Sequence, residues 1–169
     1  SDMYASYYEF LEDRIADVGY IAPSTMDTTG STHDICRFYP KQAGVFFAKL
    51  VDFDGDGADE LFLIESVRDK EPAYSGANYY FYHLQWYVYS YANQNIVLLE
   101  SNRIGRGYFG FTKDKNGATY YYEGNGQCNW DDFTFWSLKN GSFTASNVEL
   151  TWTPDWSFSG TINGHHVSG

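Results

Sequence analysis

The stretch Val45-Phe46-Phe47-Ala48-Lys49-Leu50-Val51-Asp52-Phe53-Asp54-Gly55-Asp56-Gly57-Ala58-Asp59-Glu60-Leu61-Phe62-Leu63-Ile64 decides the fold of this chain. Two short apolar runs, rich in β-branched and aromatic residues, flank an acidic segment that contains glycine. Apolar runs of this length, bounded by turn residues, are typical of buried strands. The stretch therefore predicts two core strands joined by an acidic loop, and we expect the strand pair to occupy residues 45–66.

The acidic loop has the composition of a cation site. Asp52, Asp54 and Asp56 alternate along the chain, and Gly57 follows them where the backbone must turn sharply. Calcium takes about six to eight oxygen ligands and tolerates flexible geometry, which a short acidic loop can supply. The spacing predicts a Ca2+ site, and the alternative is an acidic, solvated turn. The expected ligands are Asp52, Asp54, Asp56, the Ala58 carbonyl and Glu60.

The register of the loop argues against an EF-hand. An EF-hand counted from Asp52 requires a bidentate glutamate at the twelfth position, and that position here is Leu63. The closing acid is instead Glu60, at the ninth position, and the flanking residues favour strands rather than helices. The sequence thus predicts a strand–calcium loop–strand unit.

This pattern resembles the calcium loops of FG-GAP and VCBS-type repeats, in which an aspartate-rich loop lies between strands and closes with an acid at the ninth position. Glu60 stands where aspartate is more usual in those repeats. The wider layout is similar to modules in exported proteins of clostridia-like bacteria, with an N-terminal helix and tyrosine-rich hairpins. The resemblance implies an extracellular β module stabilised by calcium, and it implies no particular reaction.

Outward from this unit, the N-terminal residues predict a helix over 3–18 that ends at Gly19. Apolar residues recur there at steps of three and four, which predicts one buried helix face. The expected face comprises Tyr4, Tyr8, Leu11, Ile15 and Val18.

Residues 79–153 predict a meander of three hairpins, because aromatic-rich runs alternate with turn signals, two of which are Asn-Gly. Residues 154–169 form a tail with one further tight turn. The expected fold class is α+β, with the helix beside a mainly antiparallel, curved sheet. We expect a single domain over 1–169, and the abrupt tail suggests a module of a longer protein.

Charge and composition exclude several partners. The net charge of −11 argues against nucleic acid and against anionic lipid surfaces, both of which attract basic chains. No apolar run approaches the roughly 20 residues of a membrane helix, so no membrane insertion is expected. An extracellular or cell-surface location is expected, since calcium is plentiful there. Cys36 and Cys128 are expected either to form a disulfide or to remain two buried thiols.

Aromatic residues make up 20% of the chain, and one helix covers only part of one sheet face, so some rings should remain at the surface. The leading expectation is a noncatalytic, calcium-binding module that binds a glycan, a cell-wall component or a protein. One alternative is a carbohydrate-binding module that stacks sugars on Trp130, Trp152 or Trp156. Another is a glycan-active hydrolase that uses Asp131, Asp132 or Glu123.

Overall fold

The structure of the chain is a computed structural model. The structure describes residues 2–22, 32–34, 40–73, 75–76, 78–104, 108–114, 117–127, 130–152, 158–162 and 165–168. Within these residues, one helix, α1, spans Asp2–Val18. No helix in the described ranges is long and apolar enough to cross a membrane.

Eleven strands follow the helix in the described part of the chain. They are β1 (Thr32–Asp34), β2 (Gly44–Val51), β3 (Glu60–Pro72), β4 (Tyr80–Ala92), β5 (Asn95–Arg103), β6 (Tyr108–Lys113), β7 (Thr119–Gln127), β8 (Trp130–Lys139), β9 (Ser142–Trp152), β10 (Phe158–Ile162) and β11 (His165–Ser168). Every strand pair within the two sheets they form is antiparallel. The predicted α+β class, rich in β-structure, is confirmed.

The described residues fall into two compact units, the first comprising 1–25, 38–52 and 57–104. This first unit holds α1 and a four-stranded sheet in the order β2-β3-β4-β5. The central strands carry its core, since Phe62, Leu63, Ile64 and Trp86 have no exposed surface. This division into units does not test the single domain predicted over 1–169, which stays a prediction.

The helix ends at Val18 as predicted and begins at Asp2, one residue before the predicted start, but a different face is buried. The Gly19 amide donates to the Ile15 carbonyl at 2.9 Å, and the positive φ of Gly19 (88°) ends the helix. Tyr7 is only 3% exposed, whereas Tyr4 and Tyr8 of the predicted face are 44% and 63% exposed. The predicted apolar face was therefore wrong at its first two positions, because the helix is rotated to seat Tyr7 against the sheet.

The second unit, comprising 26–37, 53–56 and 105–169, holds a seven-stranded sheet. Its order is β1-β6-β7-β8-β9-β10-β11. Phe109 and Tyr121 are fully buried, and the ring of Phe53 packs edge-on against Phe143 at 5.0 Å between centroids. The tight turn at Asn140 and Gly141 has positive φ at both residues, as the Asn-Gly signal predicts.

The hairpin meander predicted over 79–153 is divided between the two sheets. The β4–β5 hairpin pairs with β3 and so joins the sheet of the two strands that flank the acidic loop. The next strands, from β6 to β9, pair in sequence within the seven-stranded sheet. The tail adds β10 and β11 as a further hairpin at the edge of that sheet.

Candidate metal centre

The acidic loop connects two neighbouring antiparallel strands, as the sequence predicts. β2 ends at Val51 and β3 begins at Glu60, and these two residues face each other in the ladder. Leu63, the residue at the position where an EF-hand has its glutamate, lies within β3 with no exposed surface. The predicted order of strand, loop and strand is present, with the loop at residues 52–59, but β3 continues to Pro72, beyond the predicted end of the strand pair at residue 66.

Three of the predicted ligands converge. One carboxylate oxygen each from Asp52, Asp54 and Asp56 lie within 4.8 Å of one another. Calcium binds oxygen at about 2.3–2.6 Å, so two oxygens on opposite sides of one ion are about 5 Å apart. The three carboxylates are therefore close enough for a single ion to contact all of them. Asp52 is half-buried, while Asp54 and Asp56 are exposed, which leaves the group open to solvent.

The backbone of the loop holds the carboxylates in place. Gly55 and Gly57 have φ of 78° and 88°, a left-handed conformation that costs glycine little. The Asp56 amide donates to Oδ1 of Asp54 at 3.2 Å, and the Gly57 amide donates to Oδ2 of Asp52 at 3.1 Å. These N–H groups partly offset the repulsion among the carboxylates. The donor set, hard oxygens from one short loop, suits calcium better than softer transition metals.

The two remaining predicted ligands stand differently. Ala58 is exposed and directly follows Gly57 in the loop, and its carbonyl as a ligand stays a prediction. Glu60 is the first residue of β3, only 6% exposed, and its carboxylate is not part of the group formed by the three aspartates. Its role as a ligand stays a prediction.

Asp59 has a role that sequence reasoning missed. Its carboxylate accepts a hydrogen bond from the Tyr4 hydroxyl at 2.9 Å, and its carbonyl lies 3.1 Å from the Tyr7 hydroxyl. Burial, together with the charge of Glu60, raises the pKa of Tyr7 to about 12. The hydrogen bond to Asp59 raises the pKa of Tyr4. These contacts connect the end of the loop to α1. Because the contacting residues are 55 and 52 positions apart in the chain, no rule of sequence spacing predicts them.

The tryptophans of the carbohydrate-binding alternative are only partly covered by the structure. Trp130 is the first residue of β8 and pairs with Thr151, while Trp152 ends β9 and pairs with Phe158. The two tryptophans are therefore not opposite each other in the ladder. Trp156, and the cysteines of the suggested disulfide, lie outside the described residues. Those cysteines are Cys36 and Cys128.

The carboxylates of the hydrolase alternative belong to β7 and β8. Glu123 pairs with Thr134, whereas Asp131 and Asp132 pair with Gly126 and Asn125. The Glu123 carboxylate accepts a hydrogen bond from the buried Tyr121 hydroxyl at 3.1 Å. Burial, reinforced by the charge of Glu123, raises the pKa of Tyr121 well above its usual value. Glu123 therefore provides the hydrogen-bond acceptor for the buried Tyr121 hydroxyl.

Comparison with known proteins adds no relative from which a role could be transferred. No family model, no curated protein and no solved structure matches this chain.

Proposed function

We propose that this chain is a noncatalytic, calcium-binding module of an exported or cell-surface bacterial protein. The calcium ion is structural, and the module binds a glycan, a cell-wall component or a protein. The observation that carries the proposal is the mutual approach of the Asp52, Asp54 and Asp56 carboxylates to within 4.8 Å in one loop. The resemblance of this loop to FG-GAP and VCBS-type calcium loops supplies the expected setting outside the cell.

A structural role follows from the ligand set. The proposed ligands are protein oxygens from the loop between two core strands and from Glu60, the first residue of the second of those strands. An ion that cancels the repulsion of adjacent carboxylates stabilises the folded loop and not the unfolded chain. Binding to the folded state alone adds about 2.7 kcal/mol when calcium is present at about 100 times its dissociation constant.

Thermal unfolding in EDTA, followed by return of calcium or magnesium, tests the proposal. For a chain of this size, about 2.7 kcal/mol corresponds to a rise in Tm of about 5–10 °C. The Asp54→Asn variant should lose this rise. Asp13→Asn, which makes the same change of charge at an exposed site on α1, should retain it. An equal response to magnesium, or none to calcium, contradicts the proposal.

A carbohydrate-binding module is the second candidate, and one exposed ring pair favours it. Tyr79 and Phe81 are 49% and 58% exposed, and their rings meet edge to face at 6.2 Å between centroids. Exposed aromatic rings stack on sugar faces. For this candidate, we expect the chain to be retained on insoluble cellulose, chitin or peptidoglycan. The Phe81→Ala variant should lose this retention, whereas Leu98→Ala, at another exposed site, should keep it.

A further inference from the structure

A shallow apolar groove runs between α1 and β2 in the first unit, and we call it the α1–β2 groove. It has a volume of about 250 Å³ and is lined by Tyr4, Tyr8 and Leu11 from the helix and by Ala48 and Leu50 from the strand, among others. Its large side chains are unusually open to solvent, with Tyr4 at 44%, Tyr8 at 63% and Leu50 at 42% exposure. Adjacent exposed apolar side chains of this size mark an interaction surface.

The strand that borders the groove is an edge strand. β2 is the outermost strand of the four-stranded sheet, and Ala48, Lys49 and Leu50 are all exposed. Alternate residues of an edge strand direct their N–H and C=O groups away from the sheet, where another extended chain can pair with them.

The chain itself pairs with one end of this edge. The Val45 amide donates to the Gly19 carbonyl at 2.9 Å, and the Ile21 amide donates to the Val45 carbonyl at 2.9 Å. This short parallel bridge is the pairing found on the outer side of β2 within the described ranges. The outer edge of β2 therefore accepts an added backbone at Val45. Beyond that bridge, the residues of β2 from Ala48 to Leu50 border the groove.

The geometry of strand addition matches the groove. A strand added to β2 lies about 4.8 Å from it, and alternate side chains of that strand project to the side of the sheet that α1 covers. Those side chains meet Tyr8 and Leu11, so backbone hydrogen bonds and apolar contacts form together. A glycan lacks the regular alternation of N–H and C=O groups that an edge strand can satisfy.

Charge around the groove selects among peptides. Helix α1 carries five acidic residues and one basic residue, and that residue, Arg14, is bound by Glu65. Acidic groups lie beside the tyrosines that α1 contributes to the groove. The Asp59 carboxylate accepts a hydrogen bond from the Tyr4 hydroxyl, and a hydrogen bond with Glu12 raises the pKa of Tyr8. Lys49 is the basic residue on the strand side. The helix side therefore favours a ligand with Lys or Arg side chains.

We propose that the α1–β2 groove binds an extended segment of another protein by strand addition to β2. The segment has apolar side chains at alternate positions and Lys or Arg between or beside them. This inference rests on the binding role in the proposed function and specifies the partner as a peptide. It does not require calcium, so the two proposals can fail separately.

A phage-displayed library of random dodecapeptides, selected on the full chain, tests the inference. Enriched peptides should show alternating apolar positions with Lys or Arg, and their affinity is measured by fluorescence anisotropy. The Tyr8→Ser variant should weaken binding at least tenfold. Leu98→Ser, which removes a comparably exposed apolar side chain of β5 outside the groove, should leave the affinity within twofold. N-methylation of alternate amides in the selected peptide should abolish binding, since it removes the donors needed for strand pairing.

Several results overturn the inference. Among them are failure to enrich any peptide, full retention of affinity after N-methylation on either set of alternate amides, and equal effects of Tyr8→Ser and Leu98→Ser. A concentration-dependent dimer in sedimentation equilibrium that is abolished by Leu50→Lys would assign the edge to a second copy of this chain. A calcium-dependent rise in Tm, measured on the same preparation, separates failure of this inference from failure of the calcium proposal.

Discussion

The ion pair between α1 and β3 gives the sharpest prediction about stability. Arg14 Nε donates to Glu65 Oε1 at 2.9 Å and Nη2 donates to Oε2 at 2.6 Å, a bidentate arrangement. The Glu65 side chain is 3% exposed, whereas the Arg14 side chain is 30% exposed and also lies 3.6 Å from Asp17. The buried Glu65 carboxylate therefore depends on Arg14 to compensate its charge, whereas the Arg14 guanidinium also reaches water and Asp17.

This asymmetry sets the expected magnitudes. Removing one member of a buried ion pair costs about 3–5 kcal/mol, because the other charge remains buried without compensation. Partial exposure of Arg14 lowers the figure, and we expect Arg14→Met to cost about 3 kcal/mol. Glu65→Gln leaves a guanidinium that can still reach solvent and Asp17, and it should cost about 1–2 kcal/mol. The double variant Arg14→Met/Glu65→Met should lie within about 1 kcal/mol of wild type, since it leaves no charge behind.

Urea unfolding at fixed calcium concentration measures these differences. Arg103→Met, at an exposed arginine of β5, is the matched control and should change the free energy of unfolding by less than about 0.5 kcal/mol. Equal costs for Arg14→Met and Arg103→Met would show that the Glu65 carboxylate does not depend on Arg14. So would a larger cost for Glu65→Gln than for Arg14→Met, because the buried carboxylate could then not be the dependent partner.

Three further predictions concern the loop and the core. Phe53→Ala should lower the free energy of unfolding by about 3–5 kcal/mol, because this ring is fully buried, whereas Phe81→Ala at a site 58% exposed should cost under about 1 kcal/mol. Burial, with nearby carboxylate charge, raises the pKa of Tyr7 and Tyr89 to about 12, so the stability they confer is fully present below pH 10. It should be lost as the pH rises through 12, and urea unfolding between pH 8 and 12 should show a smaller decline for Tyr89→Phe. Gly57→Ala should cost about 1–2 kcal/mol by urea unfolding, because φ is 88° although no atom lies near the added Cβ.

Local signals in the sequence predicted much of the fold. The C-terminal end of α1 was predicted from Gly19, and the turns at Asn93 and Asn140 were predicted from residues that tolerate positive φ. The sequence did not predict which face of the helix is buried, because tyrosine packs equally well in a core or beside water. Tyr7 and its neighbours Tyr4 and Tyr8 are indistinguishable until the sheet beneath them is known.

The division into two sheets had no local signal. Each hairpin is specified by its own turn, but the sheet that a hairpin joins depends on pairing between distant residues. The β4–β5 hairpin pairs with β3, while the strand beginning at Tyr108 pairs with β1 and β7. The change of sheet falls between Arg103 and Tyr108, where the glycines give no indication of the partner strand.

The candidate metal centre shows the same distinction between local and distant information. The three aspartates fall within five residues, so their spacing alone predicted the convergence of their carboxylates. The hydrogen bond between Tyr4 and Asp59 joins residues 55 positions apart, and the edge position of β2 depends on the whole sheet. Both features required the three-dimensional structure, and both border the α1–β2 groove.

Calcium binding by the acidic loop is tested most directly by a calcium titration of the ¹⁵N-labelled chain, followed by amide NMR. The Gly55 and Gly57 amides lie within the proposed site, and Gly57 already donates to Asp52. If the loop binds calcium, these two resonances shift with one calcium ion bound per chain, and Asp54→Asn abolishes the shift. Unchanged Gly55 and Gly57 resonances at millimolar calcium, in the folded wild-type chain, would contradict calcium binding by this loop.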